Sequence, residues 1–199
     1  MVKTWFTADT HFGHANIIKY SKRPFADVKE MDEALIENWN KLVRPKDVVW
    51  HLGDFAYRTT PPTPRRILDY RSKLHGEIHM VWGNHDDKYA RSAHHAYLGM
   101  FQSAQDYKYL RLNGEKITLL HYGMRVWRNS HHGAWHLYGH SHGMLPALHR
   151  SFDVGVDARN YRPIEFDEVK AYMDKQPVTL HHPELVTDPW DKTGDTDGD

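Results

Sequence analysis

Asp47-Val48-Val49-Trp50-His51-Leu52-Gly53-Asp54 is a short apolar run that stops at a glycine–aspartate pair, and it reads as a buried strand feeding a tight turn. The same design recurs along the chain. Val2 to Ala8 is β-rich and ends in Asp9-Thr10-His11, Ile78 to Trp82 enters Gly83-Asn84-His85-Asp86, and His136 to Tyr138 enters Gly139-His140-Ser141-His142. Met31 to Val43 carries apolar residues at 31, 35, 39, 42 and 43, which is helical spacing. Arg65 to Leu74 reads as a second helix with Pro64 near its first turn, and Glu165 to Lys175 as a closing one. Tyr107 to Leu112 and Lys116 to His121 flank Asn113-Gly114, a strong hairpin signal, and Phe152 to Val156 is one more expected strand. Strands alternating with helices, then a hairpin and further strands, define an α/β class with a mixed sheet or two packed sheets and helices outside.

At 199 residues, 40% hydrophobic and 13% aromatic, the chain can bury a sizeable core, and a single domain is expected over residues 1–183. No run of 18 apolar residues offers a membrane span, and the first residues read straight into a strand without a signal-type apolar region. A cytoplasmic protein with no membrane partner is therefore expected. Cysteine is absent, which excludes disulfides, thiolate zinc sites and a cysteine nucleophile together. Net charge is zero but uneven. Glu184, Asp188, Asp191, Asp195, Asp197 and Asp199 face only Lys192, so residues 184–199 carry −5 and residues 1–183 carry +5. The tail reads as flexible, and the mildly cationic body suits an anionic substrate. Seventeen histidines, scattered rather than run together, point to a metal or acid–base site.

Five segments carry that chemistry: Asp9-Thr10-His11, Gly53-Asp54, Gly83-Asn84-His85-Asp86, His121 and Gly139-His140-Ser141-His142. In extended chain, side chains at i and i+2 point the same way, so Asp9 with His11, and His140 with His142, are expected to converge in pairs. Glycine ahead of Asp54, Asn84 and His140 lets the backbone turn and approach a ligand closely. Oxygen and imidazole donors without thiolate suit Zn, Mn, Fe or Ni. His14 and Asn16 either face this site or cap the Ile17-Ile18 turn. His75, His79, His94, His95, His131, His132, His136, His149, His181 and His182 read as ordinary hydrogen-bonded residues, and Trp5, Trp39, Trp50 and Trp82 as core.

Taken in order, D-x-H, G-D, G-N-H-D, H and G-H-x-H resembles the calcineurin-like metallophosphoesterases, and the opening Asp9-Thr10-His11-Phe12-Gly13-His14 is similar to that of small single-domain bacterial and phage members. The resemblance implies a four-layer α/β/β/α sandwich of two mixed β-sheets flanked by helices. It implies two divalent metal ions per chain, one on Asp9, His11, Asp54 and His142, the other on Asp54, Asn84, His121 and His140, with Asp54 bridging. It makes His85 the general acid that protonates the leaving alkoxide while a hydroxide between the metals attacks phosphorus in line. Where the protein Ser/Thr phosphatase branch has a second aspartate to orient this histidine, the chain has Tyr57, so that role passes to Asp86 or is absent. A protein phosphatase is not expected.

Arg58 falls where the family contacts phosphate, and Arg58, Arg125 and His14 are the expected substrate contacts. The segment Tyr122 to Trp135, with Arg125, Trp127, Arg128, His131 and His132, is expected to overhang the site. The expected substrate is a phosphorylated small molecule or nucleotide, a diester in preference to a monoester. Nucleic acid enters only as a possible substrate, because no Lys/Arg-rich run supports a binding module. The competing readings are a phosphomonoesterase of the same fold and a scaffold that has lost catalysis. The full set of candidate ligands speaks against the scaffold.

Overall fold

A computed structural model describes residues 1–57, 64–86 and 100–178; Arg58 and the acidic segment 184–199 lie outside the described residues. Its first sheet holds β1 (Thr4–Thr7), β2 (Val48–His51), β3 (Glu77–Val81) and β4 (Ser103–Gln105), all parallel, in the order β4-β3-β2-β1. The short β9 (Ile164–Glu165) pairs antiparallel along the free side of β1. A second sheet runs β5 (Tyr107–Leu112), β6 (Glu115–Leu120), β7 (Trp135–Tyr138) and β8 (Ser151–Asp153), antiparallel between β5 and β6 and parallel beyond. At the β5–β6 turn, Asn113 (φ 50°) and Gly114 (φ 88°) are both left-handed, as a type I′ hairpin requires.

Alternation along the strands sorts the side chains into two cores. Trp5, Val49, Ile78 and Met80 face helices α1 (Ala15–Tyr20), α2 (Val28–Leu42) and α3 (Pro64–Ser72). Helix α2 lays Met31, Leu35 and Trp39, spaced i, i+4, i+8, onto that face. Its start is fixed by Asp27, whose side chain accepts the amides of Lys29 (2.8 Å) and Glu30 (2.9 Å). Phe6, Trp50, Leu52 and Val81 point the other way and meet Ile117, Leu119, Trp135 and Leu137 of the second sheet. Helix α4 (Phe166–Met173) opens on a Glu165–Glu168 capping box and drives Phe166, Val169 and Met173 into this inter-sheet core.

The molecule is thus an α/β sandwich of two mixed sheets with flanking helices. Outside the second sheet, Thr118, His136 and Tyr138 are covered by the loops on either side of β7, where Trp127 packs 5.5 Å from the His136 ring and Met124 N–H donates to His136 Nε2 at 3.0 Å. Among the described residues this layer holds a single turn of 3-10 helix, Ser130–His132. The strand expected over Phe152–Val156 stops at Asp153. There the Asp153 carboxylate accepts the Gly155 amide at 2.7 Å, and Val156 already begins another 3-10 turn.

Candidate metal centre and active site

Loops at the carboxyl ends of the parallel strands carry the candidate ligands to one rim, the usual place for a site in α/β sheets. Asp9 and His11 follow β1, Asp54 follows β2, Asn84 and His85 follow β3, His121 follows β6, and His140 and His142 follow β7. The way they converge differs from the expectation. Asp9 (φ 58°), His11 (φ 51°), Asp54 (φ 57°), His140 (φ 67°) and His142 (φ 48°) are all left-handed, not extended. Non-glycine residues rarely adopt that region, and its concentration here is strain held by the surrounding structure. Asp9 and His11 still share one cluster, with His142; His140 turns instead to a second cluster with Asp54 and His121. In each cluster the ligand atoms lie within 4.8 Å of one another.

Asp54 stands between the two. Its Oδ2 is 3.4 Å from His11 Nε2 and 3.5 Å from His121 Nε2, while Oδ1 accepts the His85 amide at 2.8 Å. The backbone of Asp54 is held from below by buried Asp86, whose carboxylate accepts the amides of Asp54 (2.6 Å), Phe55 (2.9 Å) and Gly83 (2.9 Å). A Cβ at Gly83 would collide with the Asp54 carboxylate and with His121, so glycine is required there for close approach. Asp9 is likewise fixed by the His140 amide, 2.9 Å from Oδ2.

The imidazoles are turned by hydrogen bonds on their far nitrogens. His121 Nδ1 donates to the Leu52 carbonyl (2.7 Å), and His142 Nδ1 donates to Asp157 Oδ2 (2.7 Å). Each Nε2 is thereby turned toward the rim, where it can serve a metal once it gives up its proton, the arrangement metal-ligating histidines require. His121 Nε2 also lies 3.1 Å from the Asn84 carboxamide oxygen. Asp157 is anchored by Arg23, whose Nε and Nη2 each approach it at 2.8 Å and whose Nη2 reaches the Asp9 carbonyl at 2.7 Å. Neither Arg23 nor Asp157 was anticipated. The signal was present in Phe152 to Asp157, another apolar run with a glycine and an aspartate at its end. A third unanticipated residue is His51, fully buried on β2, whose Nε2 meets Thr10 Oγ1 at 3.0 Å beneath the Asp9–His11 loop. Burial pushes its ring down to about 3, so it is neutral and structural.

The donor set fits divalent metal. His11 Nε2 is buried without a hydrogen-bond partner and faces Asp54. Burial is the largest cause that pushes the Asp9 carboxyl up to about 7, with the Asp54 and Asp153 charges adding to it, and burial chiefly holds His11 well below its ordinary value. Burial also opposes the charge on Asp54 and His121, but their mutual hydrogen bond and attraction outweigh it, holding Asp54 well below the carboxylate range and lifting His121 to about 9. A buried cluster of carboxylate and imidazole donors, with His11 Nε2 left unpartnered, suits cations from the zinc–manganese–iron–nickel group.

His85 borders this centre. Its ring stands 5.1 Å from that of His11, edge-on at 71°, and 5.6 Å from Tyr57. Tyr57 stacks on His14 at 3.7 Å, nearly parallel at 8°. Asp86 is committed to three amides, and among the described residues no carboxylate hydrogen-bonds the His85 ring. His14 does face the site: it makes no side-chain cap for α1, and with Asn16 it lines a cavity of about 360 Å³ together with His85, His140 and His142. Arg125 does not reach this cavity and lines a neighbouring one with Met124, Tyr138 and Leu145. Within the expected overhang, Trp127 is buried against Ala134, and Arg128 lies over the Tyr109 ring at 4.4 Å. Those two side chains build the layer over the second sheet. Arg58 lies outside the described residues.

The two-sheet α/β sandwich brings carboxylates and imidazoles that could hold metal ions together at its strand ends. Residues 3–152 match the calcineurin-like phosphoesterase superfamily domain, and the chain belongs to that superfamily. An uncharacterized protein of Methanocaldococcus jannaschii is 33% identical over 186 residues, 89% of this chain and 95% of that protein. The gene 66 protein of Mycobacterium phage L5 is 29% identical over 195 residues, 85% of this chain and 93% of its own length. Among solved structures, a protein of unknown function from Aquifex aeolicus shares the fold with a TM-score of 0.65 at 23% identity, covering 86% of this chain and 100% of that one. No helix among the described residues is long and apolar enough to cross a membrane.

Proposed function

We propose that this protein hydrolyses phosphoester bonds at a binuclear metal centre, with phosphodiesters as its preferred substrates and His85 as general acid. The observation that carries the reading is the position of Asp54 Oδ2, 3.4 Å from His11 and 3.5 Å from His121, one carboxylate oxygen beside a histidine of each proposed ligand set. Asp9, His11, Asp54 and His142 would hold one divalent ion, and Asp54, Asn84, His121 and His140 the other. Such a pair, when bound, supplies Lewis-acid charge for phosphoryl oxygens and a lowered pKa for water.

The chain's own groups do the rest. His85 lines the cavity beside the ligand clusters, where its ring can hand a proton to the departing oxygen. His14, stacked on Tyr57, stands with its ring centroid 5.8 Å from that of His85. The preference for diesters rests on charge. Among the described residues no lysine or arginine lines this cavity, so they offer a monoester dianion no fixed cation, whereas a diester carries one charge less.

Metal stripping and reconstitution test the proposal. Protein dialysed against chelator and reloaded with Mn, Fe, Zn or Ni should bind two ions per chain, counted by elemental mass spectrometry. It should then cleave bis-p-nitrophenyl phosphate faster than p-nitrophenyl phosphate. Turnover that survives chelation, or saturation at one ion, overturns the binuclear reading; a monoester preference overturns only the diester part.

A further inference from the structure

We propose that the cavity around Arg125 is a second substrate subsite, which binds a phosphate one nucleotide removed from the ester being cut and so makes short single-stranded oligonucleotides the favoured diesters. The proposal rests on the phosphodiesterase reading of the Asp54 centre and extends it to a substrate class.

Two cavities lie side by side. The first, of about 360 Å³, holds the ligand clusters; the second, of about 420 Å³, is walled by Gly123, Met124, Tyr138, Leu145 and Pro146 around Arg125. Consecutive residues divide them. Met144 lines the first and Leu145 the second, while Tyr122 touches His140 of the first (ring centroids 4.8 Å) and Gly123 lines the second. Each cavity is near the lower end of the small-molecule range, so one nucleotide fills one of them and a longer substrate must use both.

Charge divides the same way. The first cavity has no lysine or arginine among its described lining residues, whereas Arg125 is exposed and makes no hydrogen bond or ion pair among the described residues. A guanidinium with all its donors unused, set against apolar walls, is matched by the two-oxygen face of a phosphate. The partition wall also carries surface that a base can stack on. Tyr122 is 45% exposed and Met144 80% exposed, and both stand at the boundary between the cavities. Large exposed side chains of this kind lose unfavourable hydration when a flat base covers them, and stacking of this type tolerates any base.

The dinucleotide TpT and its 5′- and 3′-phosphorylated forms provide the test. One phosphorylated form should be cleaved with a KM roughly five- to tenfold lower than that of TpT, the worth of one charge-assisted contact at a half-exposed site. Arg125→Ala should erase that ratio, and general damage to the enzyme would lower both substrates and leave the ratio intact. An equal KM for all three dinucleotides, or a ratio that survives Arg125→Ala, overturns the subsite. If no ester is turned over with any metal, the phosphoesterase reading has failed instead. Calorimetric binding of the phosphorylated dinucleotide to chelator-treated protein then decides the subsite alone: weakening by Arg125→Ala supports it, and no binding overturns it.

Discussion

His142 Nδ1 lies 2.7 Å from Asp157 Oδ2, and that carboxylate is itself clasped by the buried guanidinium of Arg23. The chain Arg23–Asp157–His142 fixes which nitrogen of His142 carries the proton and which faces the rim. Burial disfavours the charged ring, yet the Asp157 hydrogen bond together with the charges of Asp9 and Asp157 outweighs it and raises His142 above its ordinary value.

Asp157→Asn should therefore loosen one metal and spare the other. Outer carboxylates that orient a metal-bound histidine typically contribute 10–100-fold in affinity. Arg23 keeps the carbonyls of Asp9 and Thr10 as acceptors in the variant, so the fold should persist. Competition with a calibrated chelator should resolve two binding steps, one weakened roughly 10–100-fold and one unchanged. Equal weakening of both steps, or of neither, contradicts the assignment.

Asp86→Ala should cost stability rather than a metal contact. Among the described residues the side chain hydrogen-bonds three backbone amides, and each buried donor left unpaired costs about 1–3 kcal/mol. With some relaxation and water entry, a loss of about 2–5 kcal/mol in urea unfolding is expected. A change below about 1 kcal/mol would mean that the Gly53–Asp54 turn holds its shape without Asp86.

The convergence of these donor residues was legible because each block combines a strand with a turn residue and a donor, and such blocks are local. Asp9, His11, Asp54, Asn84, His85, His121, His140 and His142 do meet on one rim. Which donors share a cluster was less legible from strand geometry alone. The alternation rule pairs His140 with His142, but left-handed backbone at both residues sends them to different clusters. Support residues such as Arg23 escaped because their roles arise from contacts 134 residues apart in sequence. Short elements escaped for a different reason. Helix α1 is six residues, too few for a periodic signal, and β9 is two, held by pairing with β1 and not by its own composition. Arg125 shows the limit of reading loops: proximity in sequence to a ligand did not place it in the ligand's cavity.

Away from the site, Asp47 ties the start of β1 to the turn before β2. Its carboxylate accepts the Lys3 amide (2.9 Å), the Arg44 amide (3.0 Å) and the Trp5 indole N–H (3.1 Å). Burial works to raise its pKa, but these donors together hold it below the ordinary value. A depressed carboxyl contributes stability that is fully present above its unfolded pKa of about 3.9 and is lost as pH falls through the folded value. Asp47→Asn should therefore be less stable than the parent at pH 7 by about 1–3 kcal/mol, and the gap should close in acid below about pH 4. Chemical unfolding at pH 7, 5 and 3 checks this; a gap that does not change with pH would assign the loss to geometry and not to charge.

His85→Ala separates proton donation from metal binding. The His85 ring lies in a cluster with His11 and Asp54 whose donor atoms come within 4.8 Å of one another, so a ligand role competes with the acid role on geometry alone. The His85 backbone amide, which holds Asp54 Oδ1 at 2.8 Å, survives the substitution, so both metals should stay bound. Turnover should fall by roughly 10²–10⁴-fold on diesters with poor alkoxide leaving groups, the usual worth of a positioned acid. On p-nitrophenyl esters, whose leaving group departs without a proton, the loss should be far smaller. A displaced metal depresses both classes alike, because phosphoryl charge must be neutralised whatever the leaving group. Metal content and the ratio of the two rates, measured on the same preparation, therefore decide the matter. Two ions retained with a large ratio identifies His85 as the acid, and one ion lost with equal depression identifies it as a ligand.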